Sequence, residues 1–250
     1  MDWKIHHKTE TVSTNIDARV GVHGDVFTAD YQTAGRGRLD HKWLSPPKTN
    51  LMMSAVLDVA GLDPEHVATL PLVVGLAVVN ALSNLIVLHS SLITQHSSLS
   101  LKWPNDVLIG GRKVAGILCE RKDDCVIAGI GVNVMRQDFS PEIAGRAIAV
   151  EEVLSRGTNA ASPLSVGKVR DAVLSALAEA YLRWRVGGFA AVYPAIREID
   201  FLRGQTLAVR QTDDDAEPVR GVCGGINADG SLDVGGVKIY AGEAHVEAFR

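Results

Sequence analysis

The sequence predicts an α/β (α+β) fold: a sheet flanked by helices over residues 1–200, then a small all-β module over residues 201–250. A long apolar stretch after Pro64 reads as a buried helix, and residues 165–186 place Val169, Val173, Leu177 and Tyr181 near helical spacing. Short runs of strand character surround them at residues 3–9, 25–32, 51–59 and 125–134. Beyond Asp200 the pattern changes to short strands punctuated by Asp-Asp-Asp, Asn-Ala-Asp-Gly and Gly-Gly, the spacing of a small β-barrel.

In chain order, the strands at 3–9 and 25–32 enclose a short helical piece that Ser13 or Thr14 is placed to cap. Residues 33–50, rich in Gly, Arg, Lys and Pro, read as a long functional loop. The strand at 51–59 leads into the apolar helix. Residues 89–98 repeat His-Ser-Ser-Leu and read as a solvated insertion. Residues 101–120 read as a β-hairpin turning at Gly110-Gly111, a pair that accepts the positive φ of a two-residue turn.

With 46% hydrophobic and 22% charged residues the chain is not disordered. Its net charge of −4 lacks the basic surplus that phosphate neutralisation demands, so no nucleic-acid partner is expected. Cys119, Cys125 and Cys223, odd in number and without paired spacing, suit a reducing compartment and form no metal knuckle. Residues 1–7 hold no apolar run of signal-peptide type. Residues 66–101 lack Asp, Glu, Lys and Arg, and a bilayer span needs about 20 apolar residues. Pro71, Asn80, Ser83 and Asn84 interrupt the stretch, however, and Asn80 and Asn84 share one helical face. A core helix, no membrane contact and a cytoplasmic location are expected.

Chemistry concentrates in two clusters. In the first, Gln32 precedes Gly35-Arg36-Gly37-Arg38 and Trp43. Glycines let backbone approach a ligand closely, and guanidinium forks suit carboxylate or phosphate. Arg36, Arg38, Lys42 and Lys48 outweigh Asp40, a local surplus that suggests an anionic ligand. An isolated solvated basic loop has the same composition. No third glycine and no helix pattern follow, so this is not a dinucleotide fingerprint. In the second cluster, Lys102-Trp103-Pro104-Asn105-Asp106 precedes Arg112-Lys113-Val114-Ala115-Gly116. A two-residue turn at Gly110-Gly111 sets Leu108 opposite Lys113 and makes Asp106 and Lys113 diagonal neighbours on one face. Such a pair is either a surface ion pair or a carboxylate for Mg²⁺ beside a lysine for a phosphate-bearing substrate.

Together the clusters resemble the biotin protein ligases. That family carries Ser-Thr-Asn, a Gln before Gly-Arg-Gly-Arg-x-x-Arg-x-Trp, Lys-Trp-Pro-Asn-Asp, and Lys-x-Ala-Gly-Ile-Leu. This chain has Ser13-Thr14-Asn15, Gln32, Gly35-Arg36-Gly37-Arg38 with Trp43, residues 102–106, and Lys113-Val114-Ala115-Gly116-Ile117-Leu118. Gly129-Ile130-Gly131-Val132-Asn133 is similar to the family's Gly-Ile/Val-Asn strand. The resemblance is close over about residues 10–135 and looser beyond.

The resemblance implies a class II synthetase-like catalytic domain with a mixed sheet, and a C-terminal SH3-like barrel. It implies adenylation of biotin by Mg-ATP, then transfer to a lysine of a biotin carboxyl carrier protein, as in acetyl-CoA carboxylase. Ser13, Thr14, Asn15, Gln32, Gly35, Arg36, Gly37, Arg38, Trp43 and Gly116 would line the biotin and adenylate pocket. Lys113 would contact the biotin carboxylate, with Arg36 and Arg38 neutralising phosphate charge. Lys102, Asn105 and Asp106 would position ATP and Mg²⁺, and Asn133 would lie near the nucleotide. The family's third loop arginine is His41 here, with shorter reach and fewer donors. The motifs begin by residue 13, so a monofunctional ligase without an N-terminal DNA-binding domain is expected. A homodimer is compatible with the family. Lipoate–protein ligase and a non-catalytic biotin sensor are the rival readings.

Overall fold

The computed structural model describes residues 1–39, 41–89, 99–154, 164–210 and 217–246. The chain begins with β1 (Lys4–Thr11), α1 (Thr14–Asp17), β2 (Asp25–Gln32) and β3 (Asn50–Asp58). Helices α2 (Pro64–Ala68) and α3 (Leu70–His89) follow, then strands β4 (Leu99–Lys102), β5 (Asp106–Ile109), β6 (Arg112–Lys122) and β7 (Cys125–Asn133). Helices α4 (Val150–Leu154), α5 (Val166–Gly187) and α6 (Tyr193–Glu198) complete this part. Its seven-stranded sheet has the order β1-β2-β3-β7-β6-β5-β4, parallel at β1–β2 and antiparallel elsewhere. The sheet is therefore mixed and flanked by helices. Strands β8 (Thr206–Arg210), β9 (Val219–Ile226), β10 (Leu232–Val234), β11 (Val237–Ile239) and β12 (Glu243–Val246) form a second, antiparallel sheet.

Alternation along each strand gives the first sheet two unlike faces. One face presents Leu51, Met53, Ala55 and Leu57 of β3 with Val126, Ala128, Ile130 and Val132 of β7. α3 and α5 cover it, and α3 is apolar all round because almost all of it lies inside. The stretch Pro64–Val87 is long and apolar enough to cross a membrane, yet 72% of its most apolar window is buried within the protein. Asn80 and Asn84 are exposed together, one turn apart. Trp184 of α5 anchors this core: it is fully buried, meets His66 edge-on, and its indole N–H donates to Thr69 Oγ1 at 2.9 Å. Trp184→Ala is expected to cost about 3–5 kcal/mol of unfolding free energy, measured by urea titration.

Several expectations need correction. Ser13 stands at the N-cap of α1 in extended conformation, but its hydroxyl makes no cap bond, and α1 is a single turn. The expected hairpin over 101–120 is two pairings, because residues 103–105 form a turn between β4 and β5. Pro104 has no N–H to donate to a ladder. The turn at Gly110-Gly111 is as expected, with φ of 56° and 77°, and Leu108 opposes Lys113. A register shift between Val107 and Leu108 then sets Asp106 opposite Gly116. α4 and α6 had no separate signal. Most of the His-Ser-Ser-Leu repeat lies outside the described residues.

Candidate active site

Directly opposed residues in an antiparallel sheet share a face, so the register fixes what the second face contains. One row runs Lys102, Asp106, Gly116, Gly131, and the next runs Leu118, Gly129, Ser54, Phe27. A third holds Val56 and Ile127, which with Ala18 and Phe27 form a small separate core beneath α1. Between that core and Asp106 the floor is opened by Gly116, Gly129 and Gly131, with Leu118, Ser54 and Met52 beside them. A Cβ on Gly129 would stand 2.2 Å from Asn15 Oδ1, and one on Gly131 2.5 Å from the Trp43 ring. These glycines supply space rather than unusual backbone angles.

Asn15, Thr14 and Ser54 are buried polar groups above this floor. Ser54 Oγ lies 2.6 Å from Asn15 Oδ1 and 2.8 Å from Thr14 Oγ1. Gln32 Oε1 accepts from Thr14 N at 2.7 Å and from Thr14 Oγ1 at 3.1 Å. Asn15 Nδ2 donates to Glu120 Oε2 at 2.6 Å. Ser13 is buried beside them. Ser54 and Glu120 were absent from the expected set. A lone serine inside the apolar run of β3 is a signal, since a buried hydroxyl requires a partner.

The loop after Gln32 is tied back on itself. Trp43 N donates to Gly35 O at 2.9 Å, Gly37 N to His41 O at 2.6 Å, and Arg36 and Lys42 form a bridge. Gly35 is boxed in: an added Cβ would stand 2.4 Å from Trp43 O and 2.8 Å from Gln32 Nε2. The folded-back loop lays Trp43 on Gly131 and Gly116, with its indole N–H buried and without a hydrogen-bond partner among the described residues. Arg36 Nη1 faces Glu120 Oε1 at 3.8 Å. Arg38 Nη1 donates to Gly242 O at 3.3 Å, and burial lowers its pKa against the opposing pull of Glu243 and Asp106. His41 Nδ1 lies 3.7 Å from Glu243 Oε1. The second sheet thus closes one side of the loop.

Lys113 Nζ is 2.6 Å from Asp106 Oδ1, an oxygen that is buried and has no well-angled hydrogen bond among the described residues. The lysine stem passes over Gly116, and Nζ stands 5.9 Å from the Trp43 ring centre, within cation–π range. Lys102 opposes Asp106 across β4–β5. Asn105 Nδ2 donates to Ile117 O at 2.8 Å, tying the turn to β6. Asn133 is engaged within the protein: its Nδ2 donates to Ile148 O at 3.3 Å and its Oδ1 accepts from Asn50. Trp103 is a packing residue, buried and donating to Gly230 O of the second sheet. Cys119 is held inert, its thiol pushed up to about 12 by burial. Two open clefts of about 490 and 500 Å³ lie elsewhere, at His7, Lys48 and Arg170 and at His6, Ile16 and Phe27. Trp43 lies directly on the glycine floor, against Gly131 and Gly116.

A glycine floor beneath cations drawn from a folded-back loop and a hairpin defines a site for a small anionic ligand. The chain belongs to the biotin/lipoate A/B protein ligase family, whose description matches residues 7–134. It is 37% identical over 131 residues to the biotin–[acetyl-CoA-carboxylase] ligase of Mycobacterium tuberculosis, covering 50% of this chain and 47% of that protein. It thus spans about half the length of that relative. The ligase of the same name from Paracoccus denitrificans is 32% identical over 195 residues, 73% of this chain and 75% of that one. The biotin protein ligase from Aquifex aeolicus in complex with biotin and ATP superposes with a TM-score of 0.80 at 27% identity, covering 98% of both chains.

Proposed function

We propose that this protein is a biotin protein ligase: it forms biotinyl-5′-AMP from biotin and ATP and transfers biotin to a lysine of a biotin carboxyl carrier protein. The observation that carries the reading is the convergence of Lys113, the Arg36–Arg38 loop and Trp43 on one glycine-floored face. The relatives named for biotin, rather than lipoate, support that choice of substrate. Residues 1–200 form the catalytic unit in this reading, residues 201–250 the module that abuts the loop, and the enzyme works in the cytoplasm.

A biotin carboxylate oxygen attacks the α-phosphorus of ATP, and pyrophosphate leaves. Lys113 orients that carboxylate while Arg36 and Arg38 neutralise charge on the phosphates. The carrier lysine, as a neutral amine, then attacks the acyl carbon; AMP leaves and the amine loses a proton. Among the described residues no group of three or more His, Cys, Asp or Glu is placed to cage a metal. Asp106, whose Oδ1 is buried without a well-angled hydrogen bond among the described residues, would be the carboxylate that holds Mg²⁺, an ion commonly bound by one or two carboxylates together with substrate phosphates. When bound, the ion would neutralise triphosphate charge. It would also compensate Asp106 once Lys113 turns to biotin.

The test is intact-mass analysis of a biotin carboxyl carrier domain incubated with the protein, biotin and Mg-ATP. A biotin-sized gain that lipoate does not produce is expected; no gain and no adenylate would overturn the reading. His41 makes a separate prediction. A histidine 3.7 Å from Glu243 and largely exposed holds the loop loosely. His41→Arg extends a guanidinium to that carboxylate and is expected to slow release of preformed biotinyl-AMP about fivefold in a chase experiment. An unchanged release rate would show that this contact does not hold the loop.

A further inference from the structure

We propose that Glu120 is a positioning residue of this site, fixing the side chain of Asn15 through Oε2 and holding the guanidinium of Arg36 near the pocket through Oε1. Glu120 lies on the same face of β6 as Gly116 and Leu118, beyond the motif that ends at Leu118. Its oxygens have separate partners. Oε2 accepts from Asn15 Nδ2 at 2.6 Å, whereas Oε1 faces Arg36 Nη1 at 3.8 Å and Arg19 Nη2 at 4.0 Å.

The two contacts differ in strength, and the difference suits their tasks. Asn15 is only 5% exposed, so its amide must be satisfied inside the protein. Asn15 presents Nδ2 to Glu120, at 2.6 Å a much shorter bond than the 3.4 Å one that Nδ2 also gives Leu118 O, and Oδ1 to Ser54. Glu120 thereby sets the direction in which the chain Asn15–Ser54–Thr14–Gln32 begins. The guanidinium contacts are long and half-exposed, the kind of pair that contributes little and exchanges readily. Arg36 is kept at hand without being locked, as a cation that must transfer to an incoming phosphate requires. A bare surface ion pair would not explain the 2.6 Å bond to a buried amide.

The experiment compares wild type, Glu120→Ala, Glu120→Gln, Asn15→Ala and the Asn15→Ala/Glu120→Ala double variant, with melting temperatures checked for each. Biotin-dependent pyrophosphate release gives kcat and KM, a readout that rests on the ligase reading. Glu120→Ala is expected to lower kcat/KM for biotin about thirtyfold, mainly through KM, as for loss of a charge-assisted hydrogen bond. Glu120→Gln, whose carbonyl still accepts from Asn15, is expected to lose about threefold, the share of the loose Arg36 pair. The double variant should be no worse than the poorer single one. Independently of catalysis, the Asn15 side-chain amide resonances of the ligand-free protein should exchange slowly and shift in Glu120→Ala but little in Glu120→Gln. Additive losses in the double variant, or Asn15 resonances unmoved in Glu120→Ala, would overturn the proposal. Resonances that shift as expected in a protein without biotin-dependent pyrophosphate release would uphold the positioning and refute the ligase reading instead.

Discussion

Lys113→Ala is expected to reduce biotin-dependent pyrophosphate release by about 10³-fold with the melting temperature changed by no more than a few degrees. Lys113 is the cation nearest Asp106, and its stem crosses the glycine floor where a small carboxylate would lie. Losing it has two consequences of the same sign. Charge that develops as the carboxylate attacks phosphorus loses its stabilising partner. Asp106 also loses the ammonium 2.6 Å away, its closest positive partner, and so repels an anionic substrate more strongly. Lys113→Arg is expected to recover little, because Nζ is already set 2.6 Å from Asp106 Oδ1 and beside the Trp43 ring over Gly116. A planar guanidinium needs more room there than a point charge does. Quench-flow or coupled pyrophosphate detection at saturating Mg-ATP would measure the effect. Activity within tenfold of wild type would remove Lys113 from the catalytic role.

How far the sequence could be read depended on whether a residue's partner was local. The Asp106–Lys113 pair was legible because a Gly-Gly turn fixes which residues meet across a hairpin, and it held despite the shift that moved Asp106 opposite Gly116. Core strands and helices were legible from periodicity, to within a residue or two at most boundaries. The order β1-β2-β3-β7-β6-β5-β4 was not, since β3 and β7 are joined only by long-range pairing. For the same reason Glu120 was missed: its partner Asn15 lies 105 positions earlier in the chain. The cap at Ser13 was misread because local propensity favours a hydroxyl there, while tertiary contacts order the turn. Thr14 is tied to Gln32, and Asn15 to Glu120.

The second sheet changes the meaning of residues that the sequence marked as motif members. Trp103 and Arg38 both bond to backbone in its turns, at Gly230 before β10 and Gly242 before β12. Trp103 therefore ties the first sheet to the β9–β10 turn, and Arg38 is a partly desolvated cation that feels the charges of Glu243 and Asp106. A loop already tied back by Trp43 N to Gly35 O and by Arg38 to Gly242 O does not have to be assembled around the ligand. That prior order lowers the ordering cost of binding.

Gly129→Ala is the sharpest test of the floor itself. The added methyl would stand 2.2 Å from Asn15 Oδ1, closer than real Cβ contacts come, and a tight 3.0 Å from its Cγ. Asn15 cannot yield freely, because Glu120 and Ser54 hold both ends of its amide. The expected result is a stability loss of about 1–3 kcal/mol from overpacking, and a fall in kcat/KM for biotin on the order of 10²-fold as the polar cluster shifts. Gly145→Ala is the matched control, since a Cβ there meets nothing within 4 Å. Biotin binding by calorimetry, alongside urea titration, separates the two losses: a purely structural glycine would lower stability and leave affinity intact. Wild-type affinity in a folded Gly129→Ala protein would mean that Asn15 does not touch the ligand's environment, and the pocket would then have to lie toward Gly131 and Trp43 alone.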